Sequence, residues 1–304
     1  MVPDKPAAEV AIDETLVRRL LTTQAKDIVP RADTVPLTKV AEGWDCEVWR
    51  VGRALAARLP RRSIAAPLVL NEQRALPVLA SAIEPTGIRI PAPVFSGAPG
   101  SGYPWAWSVV PWIEGTRGMD VRRRDRSGWA EPLAAALAAL HTPAAAGYPL
   151  NPFRGVPLSD RSDAVIERLA QLRSAGALTA PEADAAASVW SDGLSVTPFH
   201  GLPLWIHGDL HPANLVANGP RLAGIIDFGD VTAGDPAYDL AVAWLAFDDD
   251  GRAQFIGATD GHYDTATWVR ARAWAAAVGI MLLANSDDEP AFAALGREAF
   301  LEII

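Results

Sequence analysis

Residues 207–214 read HGDLHPAN, and residues 215–229 continue as LVANGPRLAGIIDFG. The second segment contains two short apolar runs separated by an Asn-Gly-Pro turn, a pattern that predicts a β-hairpin. Because the two strands of a hairpin are antiparallel, Asn214 at the start of the first strand and Asp227 after the second should meet at the hairpin's open end. Asp209 lies in the turn-rich segment just before the hairpin, so we expect its side chain to reach the same place.

The side chains that meet at this point suit a magnesium ion. The amide oxygen of Asn214 and the carboxylate of Asp227 are hard ligands, and Mg²⁺ held by one or two protein groups keeps positions for water and phosphate. Asp209 is then free to act on a substrate. Because Asp and Asn are also common in turns, this interpretation depends on all three residues together with the Asp-Phe-Gly sequence and His207.

At these spacings the segment resembles the catalytic loop and the metal-binding segment of protein-kinase-like phosphotransferases. His-Gly-Asp-Leu-His-Pro-x-Asn is more closely similar to the aminoglycoside phosphotransferase family, which includes antibiotic kinases and small-molecule kinases of the choline and homoserine type. The resemblance implies an α+β, protein-kinase-like fold of two lobes, with a small antiparallel β-sheet lobe and a larger, mainly helical lobe. It also implies ATP or GTP as co-substrate with Mg²⁺, Asp209 as the catalytic base, and Asn214 and Asp227 as metal ligands.

The composition is that of a folded globular protein. The chain has 304 residues, half of them apolar, which suits one large domain or two modest ones. Residues 1–10 lack a secretory pattern, and the longest apolar run, over residues 273–284, is too short to cross a bilayer. A single cysteine, Cys46, fits a reducing compartment. We therefore expect a cytoplasmic protein without membrane association.

The negative charge is concentrated in the second part of the chain. The net charge is −9; residues 1–100 carry 13 Lys and Arg against 11 Asp and Glu, whereas residues 101–304 carry 14 against 25. Nucleic acid is an unsuitable partner for such a chain, because phosphate binding needs a basic surface. The acidic part favours a cationic substrate, although acidic surfaces also serve solubility alone.

The N-terminal part is predicted to be mainly β-structure after an amphipathic helix over residues 12–24. Short β-type runs broken by Gly43 and Gly52 predict an antiparallel meander over residues 38–41, 47–51 and 54–59. In the resemblance this meander begins the small lobe, and residues 42–45 take the place of the loop that covers the nucleotide phosphates. This segment has one glycine and no G-x-G-x-x-G pattern, so no phosphate-loop residue is assigned.

Arg58 on the third strand aligns, in the resemblance, with the strand whose lysine contacts the α- and β-phosphates. Arginine can hold phosphate oxygens bidentately, although Arg61 and Arg62 are close alternatives. A helix is predicted over residues 68–79, and Glu72 on it resembles the glutamate that pairs with this cation. Arg58 and Glu72 are therefore the candidate nucleotide-binding pair.

The linker between the lobes is assigned to residues 111–115. It follows residues 105–109, whose aromatic and aliphatic side chains alternate with smaller ones as on a half-buried strand. In this fold class the strand leads to a linker whose backbone groups bind a purine. The resemblance thus makes Pro111, Trp112 and Ile113 candidates for the base pocket.

The predicted organisation has three parts. Residues 1–110 form the nucleotide-binding lobe, residues 111–115 the linker, and residues 116–304 the helical lobe with the catalytic loop and substrate site. Asp235 is predicted to cap a helix, and Asp239 resembles an aspartate that supports the catalytic loop. Helical patterns in the larger lobe cover residues 129–141, 160–174, 181–192, 236–247, 263–285 and 290–304.

Two local features favour a small-molecule kinase over a protein kinase. Gly208 stands where protein kinases carry an arginine that reads a phosphorylated activation loop, and only seven residues separate Asp227 from Asp235. The expected acceptor is an aminoglycoside or another cationic antibiotic, followed by a macrolide or a metabolite of the choline or homoserine type. The oligomeric state stays open.

Other functional classes fit the sequence less well. A hydrolase would need a serine in a G-x-S-x-G elbow, which is absent. His207 and His211 have no third soft ligand in step with them for a zinc site. A non-catalytic nucleotide-binding or regulatory protein on the same fold is the remaining alternative, but such a protein would have no need of Asp209 as a base.

Overall fold

The computed structural model describes residues 5–286 and 289–304 and has the α+β architecture that the sequence predicts. The N-terminal part contains a five-stranded antiparallel sheet with the spatial order β1-β2-β3-β5-β4. Its first three strands form the predicted meander; the first two extend slightly beyond the predicted runs, and the third is shifted by one residue toward the C-terminus. The strands are β1 (Leu37–Glu42), β2 (Cys46–Val51), β3 (Leu55–Pro60), β4 (Phe95–Gly97) and β5 (Trp107–Pro111).

Helix α1 (Glu14–Gln24) packs on this sheet. It begins two residues later than predicted because Asp13 is its N-cap, with a side chain that accepts a hydrogen bond from the backbone N–H of Leu16. The apolar face of α1, including Leu20 and Leu21, is buried in one cluster with Trp107 and Val109 of the sheet.

Strand β5 corrects the expectation of a half-buried strand. Residues 107–110 are all buried, because both faces of the sheet are covered. Trp107 packs in the cluster beneath α1, while Ser108 accepts a hydrogen bond of 3.0 Å from Gln73 on the helix of the other side. Alternating residue size therefore indicated the strand correctly but not the burial of its second face.

That covering helix, α2 (Ala66–Ile83), is longer than predicted at both ends. Pro67 lies in its first turn, where a missing N–H is tolerated. Leu76 and Leu79 of α2 belong to the large hydrophobic cluster of the helical part, so the helix that carries Glu72 connects the sheet with the rest of the molecule.

The C-terminal part is mainly helical, as predicted, with two differences. The segment predicted as one helix over residues 236–247 forms two short helices, and α8 is absent from the predicted set because its start is rich in Asp and Gly. Asp248 caps α8 through the N–H of Gly251. The helices are α3 (Ala130–Leu140), α4 (Ser162–Ser174), α5 (Ala180–Ser195), α6 (Ala237–Leu240), α7 (Val242–Ala246), α8 (Asp249–Ala258), α9 (Thr265–Ala284) and α10 (Pro290–Ile303).

Small β-elements position the catalytic segment within the helical part. The predicted hairpin is present as β8 (Leu215–Asn218) and β9 (Arg221–Ile225), with β6 (Thr116–Arg117) beside β8. Strands β7 (Leu204–Ile206) and β10 (Thr232–Gly234) pair just before and after it. Among the helices of the described residues, none is both long and apolar enough to cross a membrane.

Candidate active site

The hairpin brings two of the three predicted oxygen-bearing residues into direct contact. The Nδ2 atom of Asn214 donates to the backbone carbonyl of Asp209 at 2.8 Å and to its carboxylate at 3.3 Å. The N–H of Ile226, next to Asp227, donates to the carbonyl of Asn214 at 2.9 Å. Asp227 is thus tied to the same open end of the hairpin as Asn214, as the sequence predicts.

Asp227 has a backbone conformation that directs its carboxylate toward Arg58 of the sheet. Its φ is +63°, in the left-handed region that Asp and Asn adopt more readily than other non-glycine residues. Phe228 is fully buried, whereas the Asp227 side chain is 56% exposed. The buried phenylalanine therefore anchors the turn while the carboxylate stays accessible to a ligand.

Gly208 is required by the geometry of the catalytic loop. Its φ is +83°, and a Cβ atom at this position would lie 2.4 Å from the carbonyl oxygen of Asp230. A side chain such as the arginine of protein kinases cannot be placed here without moving the Asp227–Asp230 turn. The chain then enters β10 within a few residues, which leaves no length for an activation segment.

His207 joins the catalytic loop to the Asp-Phe-Gly turn. Its ring lies 4.4 Å from the ring of Phe228. Its Nε2 lies 2.9 Å from the carbonyl of Ile226, and its Nδ1 accepts a hydrogen bond from the N–H of Asp209. Since Nδ1 accepts, Nε2 carries the proton. The histidine therefore fixes the loop and takes no proton from a substrate.

Asp239 supports the catalytic loop from below. Its carboxylate accepts hydrogen bonds from the N–H groups of His207 at 2.6 Å and Gly208 at 3.0 Å, and it contacts His141 at 3.2 Å. All of these groups are buried. Charge-assisted hydrogen bonds to backbone donors are strong, so this aspartate fixes the backbone on which Asp209 is carried.

Asp235 is not the helix cap that the sequence predicts, because the N-cap of α6 is Pro236; the carboxylate of Asp235 instead contacts the first turn from one residue further back. It accepts a hydrogen bond from the N–H of Ala237 at 3.0 Å. It also forms a buried ion pair with Arg270 of α9, with an Nε–Oδ2 distance of 2.7 Å. The structure thus joins the start of α6 to the long helix α9.

Arg58 contacts both Glu72 and Asp227. Its Nη2 lies 2.8 Å from Glu72 and 3.1 Å from Asp227. Burial raises the pKa of Glu72 to about 7, and the positive charge of Arg58 opposes this rise. Burial also lowers the pKa of Arg58, but the two carboxylates outweigh it and hold the pKa above the usual value. The guanidinium therefore stays charged and directed at the cleft.

The two alternatives to Arg58 hold the turn between β1 and β2. Arg61 donates to the carbonyl of Gly43 at 2.9 Å, and Arg62 contacts the carboxylate of Asp45 at 2.8 Å. Both side chains are therefore directed at residues 42–45, the segment that takes the place of the loop over the nucleotide phosphates, and away from Glu72. This arrangement favours Arg58 as the cation that faces a nucleotide.

The linker candidates are placed differently from one another. The N–H of Trp112 donates to Ala54 at 2.8 Å, and its ring lies under the guanidinium of Arg50 at 4.8 Å. Ile113 is buried and lies close to Gly224 of β9. Within residues 5–286 and 289–304, the backbone N–H of Ile113 has no hydrogen-bond partner. Among the candidates Pro111, Trp112 and Ile113, it is therefore Ile113 whose backbone N–H remains available to a nucleotide base.

Arg154 is the site residue that the sequence analysis missed. Its Nη2 lies 3.4 Å from Asp209 and 3.1 Å from Asp230, and its Nη1 donates to the hydroxyl of Tyr238. It lies in an irregular Pro- and Gly-rich loop, where no periodicity marks its direction. A lone cation in an otherwise apolar loop was the one available signal.

The carboxylate of Asp209 is held in its ionised form. Burial alone would raise the pKa of Asp209, but His211 and Arg154 outweigh it and hold the pKa well below its usual range. The Nε2 of His211 lies 3.4 Å from this carboxylate. Its Nδ1 accepts the N–H of Ala213, so Nε2 is the protonated nitrogen. Asp209 is therefore ready to accept a hydrogen bond from a hydroxyl group.

A cavity of about 410 Å³ opens beside Arg154. It is bounded by the loop that carries Arg154, by the end of α5 and by β10. Its size falls within the ~300–1,000 Å³ range of small-molecule sites. Arg154 in its wall connects the cavity to the catalytic loop, because its guanidinium lies 3.4 Å from the carboxylate of Asp209.

Asn214 and Asp227 have the donor set that a magnesium ion requires. The amide nitrogen of Asn214 is used by Asp209, which leaves its oxygen for a cation. Asp227 offers an accessible carboxylate. In the part of the chain that the structure describes, no cluster of three or more His, Cys, Asp or Glu residues could hold a metal alone. A metal here would complete its shell with water and phosphate.

Asp209, Asn214 and Asp227 lie beside the buried Arg58–Glu72 pair, where a five-stranded sheet meets a helical part. This arrangement defines a phosphotransferase of the two-lobed kinase-like class. Residues 36–274 match the family model described as the phosphotransferase enzyme family. Because the match covers more than half of the chain, the protein belongs to this family, as the sequence analysis predicts. No curated protein matches the sequence.

Solved structures of similar fold include antibiotic phosphotransferases. The GDP and kanamycin complex of APH(2")-IIia is 19% identical, with 94% of this chain and 97% of that chain covered and a TM-score of 0.63. ADP-bound aminoglycoside phosphotransferase APH(2'')-Ib is 17% identical, with 96% and 100% covered and a TM-score of 0.59. The macrolide 2'-phosphotransferase MphH from Brachybacterium faecium is 18% identical, with 93% and 97% covered and a TM-score of 0.61. At these identities the likeness establishes the two-lobed fold.

Proposed function

We propose that this phosphotransferase moves the γ-phosphoryl group of ATP or GTP to a hydroxyl of a small molecule. The observation that carries the proposal is the contact of Asn214 with Asp209 and, through Ile226, with the Asp227 turn. Phosphoryl transfer requires positioning and charge neutralisation more than covalent chemistry. This cluster offers a base and two metal donors within one rigid unit.

Asp209 acts as the base in this proposal. It accepts a hydrogen bond from the acceptor hydroxyl and takes the proton as the phosphoryl group is transferred. Its ionised state over a wide pH range and its fixed orientation between Asn214 and Arg154 support this role.

Asn214 and Asp227 hold Mg²⁺, which neutralises the charge of the nucleotide phosphates. Arg58 binds the phosphates from the sheet side, and Glu72 keeps its guanidinium in place. This assignment is supported by the 2.8 Å and 3.1 Å contacts that join Arg58 to Glu72 and Asp227.

The proposed nucleotide-binding lobe comprises residues 1–110 and the linker residues 111–115. Pro111, Trp112 and Ile113 contact the base, with the N–H of Ile113 as the donor. Residues 116–304 supply the catalytic loop and the acceptor site. The acceptor is a hydroxylated antibiotic or metabolite, which is the class of ligand that a cavity of about 410 Å³ beside Asp209 can admit.

The test is a coupled assay of nucleotide turnover with Mg²⁺. ATP and GTP are each combined with aminoglycosides, macrolides, peptide antibiotics and small hydroxylated amines, and Asp209→Asn serves as the inactive control. At least one acceptor should stimulate turnover, with phosphate found on that acceptor. A protein that binds Mg-nucleotide tightly but phosphorylates none of them would instead be the binding or regulatory protein that the sequence left open.

A further inference from the structure

We propose that the acceptor of this enzyme is a hydroxylated molecule with a broad apolar face and at most one positive charge. The inference rests on the proposed function, because it assigns the cavity beside Asp209 to the acceptor. It departs from the polycationic acceptor that the overall charge of the chain favours. Three observations on the cavity carry it: its position, its apolar rim and the pairing of its carboxylates.

The cavity adjoins Asp209 through Arg154. Arg154 lines it and lies 3.4 Å from the carboxylate of Asp209. The loop with Arg154 is tightly docked, because the carbonyl of Gly155 accepts a hydrogen bond from the N–H of Asp235. A Cβ on Gly234 would lie 2.1 Å from this carbonyl. The wall of the cavity is therefore fixed before any acceptor arrives.

The rim of the cavity is apolar and solvent-exposed. Leu150 and Leu194, which both line it, are 84% and 43% exposed, and the half-buried Phe199 lies on the same rim. Large aliphatic side chains that face water around a concave site indicate a surface that a ligand covers. A polyamine sugar offers little apolar surface for them to contact.

The charged groups at the cavity are already paired within the protein. Arg154 is bound to Asp209 and Asp230, and Asp235 on the wall is bound to Arg270. Three carboxylates against two guanidinium groups leave one net negative charge. An acceptor with several ammonium groups would bring more charge into the cavity than these side chains can pair, and an unpaired buried charge is costly.

The acidic character of residues 101–304 does not contradict this conclusion. Asp235 on the wall of the cavity is paired with Arg270, and several other acidic residues lie on exposed helix surfaces; Asp184 of α5, for example, has a side chain that is 74% exposed. The overall charge thus describes the surface of the lobe more than the acceptor site.

The experiment compares two probes on the full-length protein with Mg-nucleotide present. Erythromycin is a large hydroxylated lactone with one amine, and kanamycin is a hydroxylated sugar with several amines. Binding is measured by calorimetry and phosphorylation by mass spectrometry and coupled turnover. Leu194→Glu adds a carboxylate to the rim, and Ile166→Glu makes the same change on exposed α4 outside the cavity.

We expect kcat/KM for erythromycin to exceed that for kanamycin by at least about tenfold. Leu194→Glu should weaken erythromycin binding and reduce the ratio of kcat/KM for erythromycin to kcat/KM for kanamycin. Ile166→Glu should change neither erythromycin binding nor this ratio. Either a preference for kanamycin in the unmodified protein or a failure of erythromycin to bind would overturn the inference. Both results would leave the proposed phosphotransferase function standing. If erythromycin binds in a Leu194-dependent manner but is phosphorylated with neither nucleotide, it is a ligand and not an acceptor, and the inference is overturned. The proposed function itself fails only if no acceptor of the wider panel is phosphorylated.

Discussion

The guanidinium of Arg58 and the carboxylate of Asp227 lie 3.1 Å apart, although 169 positions separate them in the sequence. One comes from the sheet and the other from the turn after the hairpin, so this contact connects the two walls of the proposed nucleotide site. A phosphate group and a metal ion would share these partners. We therefore expect nucleotide and Mg²⁺ to bind cooperatively, because the metal ion supplies positive charge beside the phosphates and the phosphates supply negative charge beside the metal ion.

Asp227→Asn tests the metal site. Asparagine tolerates the left-handed backbone conformation of this position, so the fold should persist. The loss of the carboxylate should raise the Kd of the Mg-nucleotide complex by at least about tenfold, a difference of roughly 1.4 kcal/mol, while binding without metal changes little. Calorimetry with and without Mg²⁺ measures this, with the exposed Asp184→Asn as control. Equal metal dependence in both variants would exclude Asp227 as a ligand.

Glu72→Gln tests the buried pair through its pH dependence. Because the pKa of Glu72 is raised to about 7 from an ordinary value of 4.5, the folded protein keeps this proton between these two pH values while the unfolded chain loses it. The free energy of unfolding of the unmodified protein should therefore fall relative to that of Glu72→Gln as pH rises through this window. The divergence should be on the order of 3 kcal/mol.

Urea unfolding of both proteins at pH 5 and pH 8 measures this divergence. Arg58 retains Asp227 as a partner in the variant, so the substitution should not leave the cation unpaired. Affinity for Mg-nucleotide should nevertheless decrease, because Arg58 loses the group that orients it. A difference in stability that is the same at both pH values would show that Glu72 titrates normally.

Arg154→Gln tests the residue that contacts Asp209 from the acceptor side. Without the guanidinium the carboxylate loses a partner that orients it, and kcat should fall by about 10–100-fold, as expected for a misplaced catalytic group. The KM for nucleotide should stay the same. Arg154→Lys should recover part of the rate, and Arg161→Gln, which removes an arginine stacked on the ring of Phe153, should have no effect. A change in nucleotide KM alone would place Arg154 in a different role.

Asp239→Asn tests the support of the catalytic loop. The oxygen of the asparagine amide can accept a hydrogen bond from the backbone N–H of either His207 or Gly208. The NH₂ group of the amide then faces the other backbone N–H, which loses its acceptor. The free energy of unfolding should fall by about 2–3 kcal/mol. Asp264→Asn is the matched control: Asp264 is the N-cap of α9, where its side chain accepts a hydrogen bond from the N–H of Thr267, and asparagine caps a helix as well as aspartate does. Equal stability of the two variants would contradict the assigned role.

Much of the site could be predicted from local sequence. Asp209, Asn214 and Asp227 lie within one loop and hairpin, where chain connectivity alone brings them together. The Arg58–Glu72 pair was predicted from the resemblance to protein-kinase-like phosphotransferases, which carry a cation on the third strand and its glutamate partner on the helix that follows. Gly208 could be recognised as unusual, but the close approach of Asp230 that excludes a side chain required the structure.

Long-range contacts account for what the sequence did not reveal. Arg154 reaches Asp209 across 55 positions from an irregular loop, and no periodic pattern predicts where such a side chain points. Burial of both faces of β5 depends on α2, which is distant in sequence from it. The division of residues 237–246 into two helices also depends on packing, because their apolar pattern is continuous.

The central claim is that Asp209 serves the chemical step while Asn214 and Asp227 serve metal and nucleotide. Single-turnover phosphorylation of the best acceptor by Asp209→Asn, combined with calorimetric titration of Mg-nucleotide, tests it most directly. Phosphorylation should fall by about 10²–10⁴-fold, and the Kd of Mg-nucleotide should match that of the unmodified protein. An unchanged rate of phosphorylation in Asp209→Asn would contradict the mechanism.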